Sequence, residues 1–250
     1  MALSLRDEVN GPLGYSTNLS ASSDDLSLIR ELIEKQWLAH LSCCVPQQAA
    51  AFAELGCARY HELAHTIDHG SIWPKRSRIL PADAVATIRA TSFFRQLVGE
   101  FGEIAISDED GIGWEEVYWR LVRPDAANDI GPLHADKWFW DLGDATVPAD
   151  SERVKCWIAI ITETDRNGLL VVPGSHLNDW RFHGETRHGS IKPQIDEDEA
   201  QFDLKLLPLA PGGAAVFHDK LLHRGALNEG NTTRVSLEFT MFVKKQASVG

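Results

Sequence analysis

The chain has 250 residues, 44% of them hydrophobic and 24% charged, with eight tryptophans and a mean hydropathy of −0.20. That composition excludes disordered and fibrous classes, and the length suits one compact domain of the barrel or sandwich type. Acidic residues number 36 and basic ones 24, a formal net charge of −12 with no basic run, which argues against nucleic acid as a partner.

The first ten residues, MALSLRDEVN, lack a basic segment followed by an apolar core, so no signal peptide is read there. No apolar run approaches the roughly 20 residues that span a bilayer, and no membrane partner is expected. The four cysteines are Cys43, Cys44, Cys57 and Cys156; none forms a C-x-x-C pair and two are adjacent, which suits structural disulfides poorly. The expectation is a soluble, reduced, cytoplasmic protein.

In chain order, residues 1–22 are polar and read as an irregular lead-in. Ser22 or Ser23 then caps a helix in which Leu26, Ile29, Leu32, Ile33, Trp37 and Leu38 recur at helical spacing. A second helical stretch is predicted from Pro46 toward His65, and a third after Pro81, through ADAVATIRATSFFRQLVGEF. From residue 102 the period changes. Short apolar or alternating runs appear, separated by Gly, Pro, Asp and Asn: EIAIS, EVYWRLV, PLHADKWFW, VKCWIAII, GLLVVPG, KLLPLA, AAVFH and RVSLEFTMFV. So many short strands without intervening helices predict an antiparallel sandwich or barrel. The expected architecture is a single domain over 1–250, with a mainly helical part, 1–101, packed on a jelly-roll core, 102–250.

Two histidine constellations could carry chemistry. The first is His61-Glu62-Leu63-Ala64-His65 on a predicted helix, where spacing i, i+4 puts both imidazoles on one face, able to bind zinc with Glu62 as general base. A third ligand is missing, since Asp68 and Ser71 stand where the extended motif needs Gly and His. The plainer account is an amphipathic helix whose His and Glu face solvent.

The second constellation lies in the strand half. His134 and Asp136 sit two apart in GPLHADKWFW, so on a strand both side chains leave one face. VFHDKLLHRG supplies His218 and His223. In NTTRVSLEFTMFV, Arg234, Ser236, Glu238 and Thr240 share one strand face, while Val235, Leu237, Phe239 and Met241 share the other. A wholly polar face at the end of a jelly roll points into a functional lumen. H-x-D plus one remote His makes the 2-His-1-carboxylate set of non-haem Fe(II) oxygenases, with positions left open for O₂ and a co-substrate. A buried guanidinium at Arg234, 11 residues beyond His223, is a natural bidentate clamp for a carboxylate.

The segments PLHAD, KCWIAIITETDRNGLLVVPGSH and FHDKLLHRGALNEGNTTR resemble the phytanoyl-CoA dioxygenase family of Fe(II)/2-oxoglutarate oxygenases, over roughly residues 115–245. The resemblance implies a double-stranded β-helix with His134, Asp136 and His223 on iron and Arg234 on the far carboxylate of 2-oxoglutarate. It also implies Trp157, and Trp119 on the preceding strand, as linings of the co-substrate site. Members often carry Ser two residues after the distal His; here Gly225 stands there, and that side-chain hydrogen bond is missing. The implied reaction uses O₂ to decarboxylate 2-oxoglutarate to succinate and CO₂ while oxidising a C–H bond of a small-molecule substrate. Because Asp136 is present, where related halogenases carry a small residue, hydroxylation or a related desaturation or cyclisation is expected. The loops that cover the pocket in this family read here DKWFWDLGD and LNDWRFHGETRHGSIKPQ. The second gathers Arg181, His183, Arg187, His188 and Lys192, with Lys137 beside the triad, a local positive patch suited to an anionic substrate. His176 of PGSH contacts substrate or hydrogen-bonds structurally, and His40, His69 and His218 are read as structural. Readings of another class are a zinc hydrolase built on HELAH and a non-catalytic jelly-roll binding protein.

Overall fold

A computed structural model describes residues 3–143, 147–187 and 190–245, the side chains of Arg187 and Ser190 excepted. From residue 3 the N-terminal lead-in forms regular structure. Ser4 and Asp7 form a capping box on helix α1, Leu5–Val9, and Tyr15–Ser20 forms strand β1. This departs from the irregular segment expected, because β1 takes its hydrogen bonds from a strand near the far end of the chain.

Helix α2, Ser23–Cys44, follows the expected spacing: the Ser22 side chain accepts from Asp25 N–H, and Ile29, Ile33, Trp37 and Leu41 are buried. The second predicted helix is realised only as α3, Ala49–Leu55. Gly56, at φ 74°, ends it, and two 3₁₀ turns follow, Cys57–Glu62 and Ala64–Thr66, then the single-turn helix α4, His69–Ile72. The third is divided into α5, Ala82–Arg89, and α6, Ser92–Phe101, because Thr91 accepts a hydrogen bond from Phe94 N–H and starts a new helix.

The strand half runs β2 (Ile104–Ile106), β3 (Tyr118–Val122), helix α7 (Lys137–Leu142), β4 (Ser151–Ile161), β5 (Leu169–Val171), β6 (Phe182–Arg187), β7 (Ser190–Ile195), β8 (Lys205–Leu206), β9 (Gly213–His218), β10 (His223–Gly225) and β11 (Arg234–Lys244). One sheet has the order β1-β9-β4-β11-β2, with β3 pairing β11 beside β2; a smaller one runs β10-β5-β8, and all pairs are antiparallel. The fold is a jelly roll with helices on its outside. The large sheet separates two environments. Its outer face packs Val235, Leu237, Phe239 and Met241 against Ile33, Trp37, Phe93 and Leu97 of the helices. Its inner face meets the small sheet through Trp157, Ala159, Phe217, Leu169 and Val171. β11 is buried on both faces, and its alternate side chains enter different layers, as the alternation predicted.

Two expectations are corrected here. The segment read as a loop after PGSH contains the hairpin β6–β7, registered from Phe182↔Ile195 to Arg187↔Ser190 and anchored where Phe182 stacks on Trp138 at 4.7 Å. His188 lies outside the described residues. Asp136 is not on a strand: it has helical backbone angles (φ −59°, ψ −33°) at the start of α7. The chain leaves extended structure immediately after His134, whose only β contact is a bridge to His223. Burying Trp138 against Phe182 and Trp140 against Phe242, on different sides of α7, favours this turn. All four cysteines are free thiols. Among the described residues no helix is long and apolar enough to cross a membrane.

Candidate metal and co-substrate site

His134 and His223 face each other across that bridge, exchanging backbone hydrogen bonds of 3.1 and 2.9 Å. Their rings lie 4.5 Å apart, centre to centre. Each Nδ1 is spoken for by a carbonyl, Pro132 O at 2.8 Å and Leu221 O at 2.9 Å. A carbonyl only accepts, so the proton sits on Nδ1 and the Nε2 lone pair is left for a ligand. Asp136 comes to the same point from the N-terminus of α7: Oδ1 is 3.8 Å from His134 Nε2 and Oδ2 is 3.8 Å from His223 Nε2. One donor atom from each residue lies within 4.8 Å of the others, and all three residues are buried.

Electrostatics keep His134 and Asp136 in their ligand forms. Burial, then the neighbouring His223, depresses His134 to about 3, so its imidazole is neutral. For Asp136 burial pushes upward, but Lys155, His223 and His134 outweigh it and hold the carboxyl at about 2. Asp136 Oδ2 is buried without a hydrogen-bond partner. A buried carboxylate oxygen left bare, beside two aimed imidazole lone pairs, fits a divalent metal and fits little else.

Lys155 is the buried cation closest to that oxygen. Its Nζ lies 3.8 Å from Asp136 Oδ2 and 3.9 Å from Glu238 Oε2, and it donates to Tyr118 Oη at 3.1 Å. Tyr118 Oη in turn donates to Glu238 Oε2 at 3.0 Å, and Arg120 Nε pairs with Glu238 Oε1 at 2.6 Å. Glu238 was expected on this face from the alternation, whereas Lys155, Tyr118 and Arg120 were missed, although parity carried the signal. Lys155 shares the face of Trp157, and Tyr118 and Arg120 share the face opposite Trp119.

Arg234, 2% exposed, lies on the same face of β11 as Glu238. Its Nη1 donates to Gly168 O at 2.5 Å and Ala226 O at 3.2 Å, whereas Nε is buried without a partner. Burial draws it down to about 10, which leaves it charged at neutral pH. Gly225 makes this placement possible: a Cβ there would lie 2.9 Å from Arg234 Nη2 and 3.4 Å from Ile130 Cγ2. A narrow cavity of about 30 Å³ connects Arg234 with His134 and His223, walled by Trp157, Leu169, Gly225 and Glu238. A larger chamber of about 610 Å³ adjoins it, sharing His134, Arg120 and Ile130 in its wall, and is lined also by Phe139, Arg123, Lys192 and His69 among others. His69, read as structural, therefore faces the chamber. Its Nδ1 is 2.8 Å from Tyr60 Oη and its Nε2 is 3.5 Å from Asp129.

The other expected residues fall elsewhere. Trp119 points to the outer face. It is fully buried, packs edge-on against Trp73 at 5.3 Å, donates to Gln36 Oε1 at 2.8 Å, and pairs with Leu237 in the register of β3 with β11. It belongs to the helix–sheet core and not to the co-substrate cavity. HELAH is no metal face either. In 3₁₀ turns of three residues, i and i+4 diverge; His61 Nδ1 contacts Thr233 Oγ1 at 3.0 Å, Glu62 pairs with Arg59, and His65 is exposed. His176 packs away from both cavities, against His218 at 5.3 Å and against Gly14. That glycine has φ 82° and no room for a side chain, since a Cβ would lie 2.3 Å from His176 Nδ1.

A jelly roll whose lumen offers two aimed imidazoles, a bare carboxylate oxygen and a buried arginine has the fold and site of a mononuclear non-haem iron oxygenase. The sequence profile of phytanoyl-CoA dioxygenase matches residues 76–236, and the chain belongs to this family of oxygenases, which use Fe(II), 2-oxoglutarate and O₂. Comparison with curated proteins gives no match. Among solved structures, EvdO2 from Micromonospora carbonacea var. aurantiaca superposes with a TM-score of 0.59 at 17% identity, covering 100% of this chain and 96% of that one. EctD from S. alaskensis with 2-oxoglutarate and 5-hydroxyectoine gives 0.55 at 14% identity over 95% and 75%. The non-heme monooxygenase ThoJ gives 0.55 at 14% identity over 93% and 75%. At such identities the likeness is one of fold.

Proposed function

We propose that the protein hydroxylates a C–H bond of a small molecule held in the 610 Å³ chamber, coupled to conversion of 2-oxoglutarate to succinate and CO₂. One observation carries the reading: His134 lines both that chamber and the adjoining narrow cavity that contains Arg234, so substrate and co-substrate would meet at one metal ligand. His134, Asp136 and His223 would hold the iron, which when bound supplies the O₂ chemistry. The protein's own part is positional. The Pro132 and Leu221 carbonyls fix both imidazoles, and Lys155 steadies Asp136 from behind. Arg234 takes the distal carboxylate of 2-oxoglutarate, with Trp157 and Leu169 keeping water from it. Retention of a carboxylate at Asp136 favours hydroxylation over halogenation.

The test has two parts. Anaerobic Fe(II) titration should give stoichiometric binding in wild type and His61→Ala, and loss of most affinity in His134→Ala, Asp136→Ala and His223→Ala. Succinate release with Fe(II), 2-oxoglutarate and ascorbate, screened over a small-molecule panel, should then rise with a true substrate. Iron retained in His134→Ala but lost in His61→Ala would reverse the assignment.

A further inference from the structure

Among the described residues, the basic side chains around β6–β7 do not add up to a free positive patch. His183 Nδ1 lies 2.7 Å from Asp196, Arg181 pairs with Glu197 at 3.9 Å, and Lys137 bonds Asp141 at 2.6 Å. Exposed pairs of this kind hold little long-range field in salt. Lys192 differs from them. It lines the chamber beside Phe139, Arg120 and Arg123, its ammonium rests 5.6 Å from the centre of the Phe139 ring, and among the described residues no carboxylate pairs with it.

The other cations of the chamber are matched. Arg120 is paired with Glu238 at 2.6 Å, and Arg123 forks onto Asp129 at 2.9 and 2.7 Å. Among the described residues, Lys192 is thus the chamber's Lys or Arg side chain without an ion pair of its own, with Glu185 opposite it in the hairpin register and Asp110 acting on it without pairing. Burial, followed by the charges of Arg120 and Lys75, lowers the proton affinity of that ammonium, a cost that an arriving anion would reverse. Phe139 also sets the distance to the metal ligands. Its ring meets His134 edge-on at 5.3 Å, so the legs of 5.3 and 5.6 Å put Lys192 Nζ within about 11 Å of the His134 ring. One small molecule spans that gap. Ile130, Pro132, Phe139 and Pro193 supply apolar wall between the two points.

We infer that Lys192 holds the carboxylate of a monoanionic substrate with a partly apolar body, which rests on the oxygenase reading above and names the substrate class for it. A single unmatched ammonium calls for a single negative charge, and a phosphate dianion would leave one charge unpaired in a half-closed chamber.

The probes are benzoate, phenylacetate, 3-phenylpropionate and hexanoate, each beside its primary amide. They are tested by ligand-observed NMR on full-length protein loaded with Zn(II) and saturated with N-oxalylglycine, so that the co-substrate site is already filled. At least one acid should bind wild type while its amide does not. Lys192→Gln should weaken that acid by about tenfold or more, and Lys192→Arg should recover most of the loss. Thermal unfolding of each variant checks that it is folded. Equal binding of acids and amides, unchanged acid binding in Lys192→Gln, or binding of no acid at all would overturn the inference. Substrate-free release of succinate from 2-oxoglutarate by the iron-loaded wild type tests the oxygenase reading separately. Its absence, with acid binding still dependent on Lys192, would sink that reading and leave the anion site standing.

Discussion

At Arg234 a guanidinium is anchored by one nitrogen to two carbonyls and keeps a second edge free, in a cavity that also contains two imidazole ligands. A planar fork can grip a carboxylate with that edge while the anchor holds; an ammonium at the same place cannot do both. Arg234→Lys is expected to raise the apparent KM for 2-oxoglutarate by about tenfold or more, with iron content unchanged. Steady-state kinetics beside metal analysis checks this, and an unchanged KM would remove Arg234 from the co-substrate site. Gly225→Ala should act in the same direction. Its methyl group would meet Arg234 Nη2 at 2.9 Å, and the guanidinium, tied by Nη1 to the Gly168 and Ala226 carbonyls, has to shift.

Between elements, the strongest polar tie in the helical layer is Asp25. Near the start of α2, its carboxylate accepts from the N–H groups of Ser92 and Phe93, at 3.3 and 2.9 Å, and from the Ser92 hydroxyl. It thereby satisfies the free N-terminus of α6. Burial pushes this carboxyl upward, but the hydrogen bonds from Ser92 and Phe93 more than offset it, and its affinity for protons ends lower than in the unfolded chain. A depressed carboxylate stabilises the fold above its unfolded pKa, and the contribution is lost as pH falls through the folded value. Asp25→Asn should therefore cost about 1–3 kcal/mol at pH 7, and the gap to wild type should narrow only below about pH 4. Urea titrations at both pH values give the answer. A difference independent of pH would mean that the charge plays no part.

For the whole molecule, the decisive feature is that one sheet serves two environments, an apolar helical layer outside and a charged lumen inside. Trp119 and Trp157 stand on neighbouring parts of that sheet but on opposite faces, and their substitutions should separate accordingly. Trp119→Ala removes a large buried ring from the helix–sheet core and should lower stability by about 3–5 kcal/mol, with the KM for 2-oxoglutarate unchanged in the folded fraction. Trp157→Ala opens the wall of the narrow cavity and should raise that KM. Chemical unfolding and kinetics on both variants test the division; a raised KM in Trp119→Ala alone would reverse it.

The sequence by itself determined those features whose physical signal is local. Ser22 and the 3.6-residue spacing specify α2, and strict alternation specifies both faces of β11, hence Arg234 and Glu238 in the lumen. The triad was legible because its residue types, two imidazoles and a carboxylate, serve metal ligation better than packing. Other features were decided only when distant segments met. Asp136 reaches the site from a helix rather than a strand, since α7 folds over to bury its tryptophans. HELAH fails to become a helix beyond Gly56, where the chain docks against Thr233. The charges of LNDWRFHGETRHGSIKPQ look alike in sequence, yet His183 and Arg181 find carboxylates across their own hairpin and Lys192 finds an aromatic ring in the chamber. Periodicity and capping act within a few residues of chain, whereas burial and charge pairing depend on whichever segment arrives opposite, and only the assembled jelly roll settles which one that is.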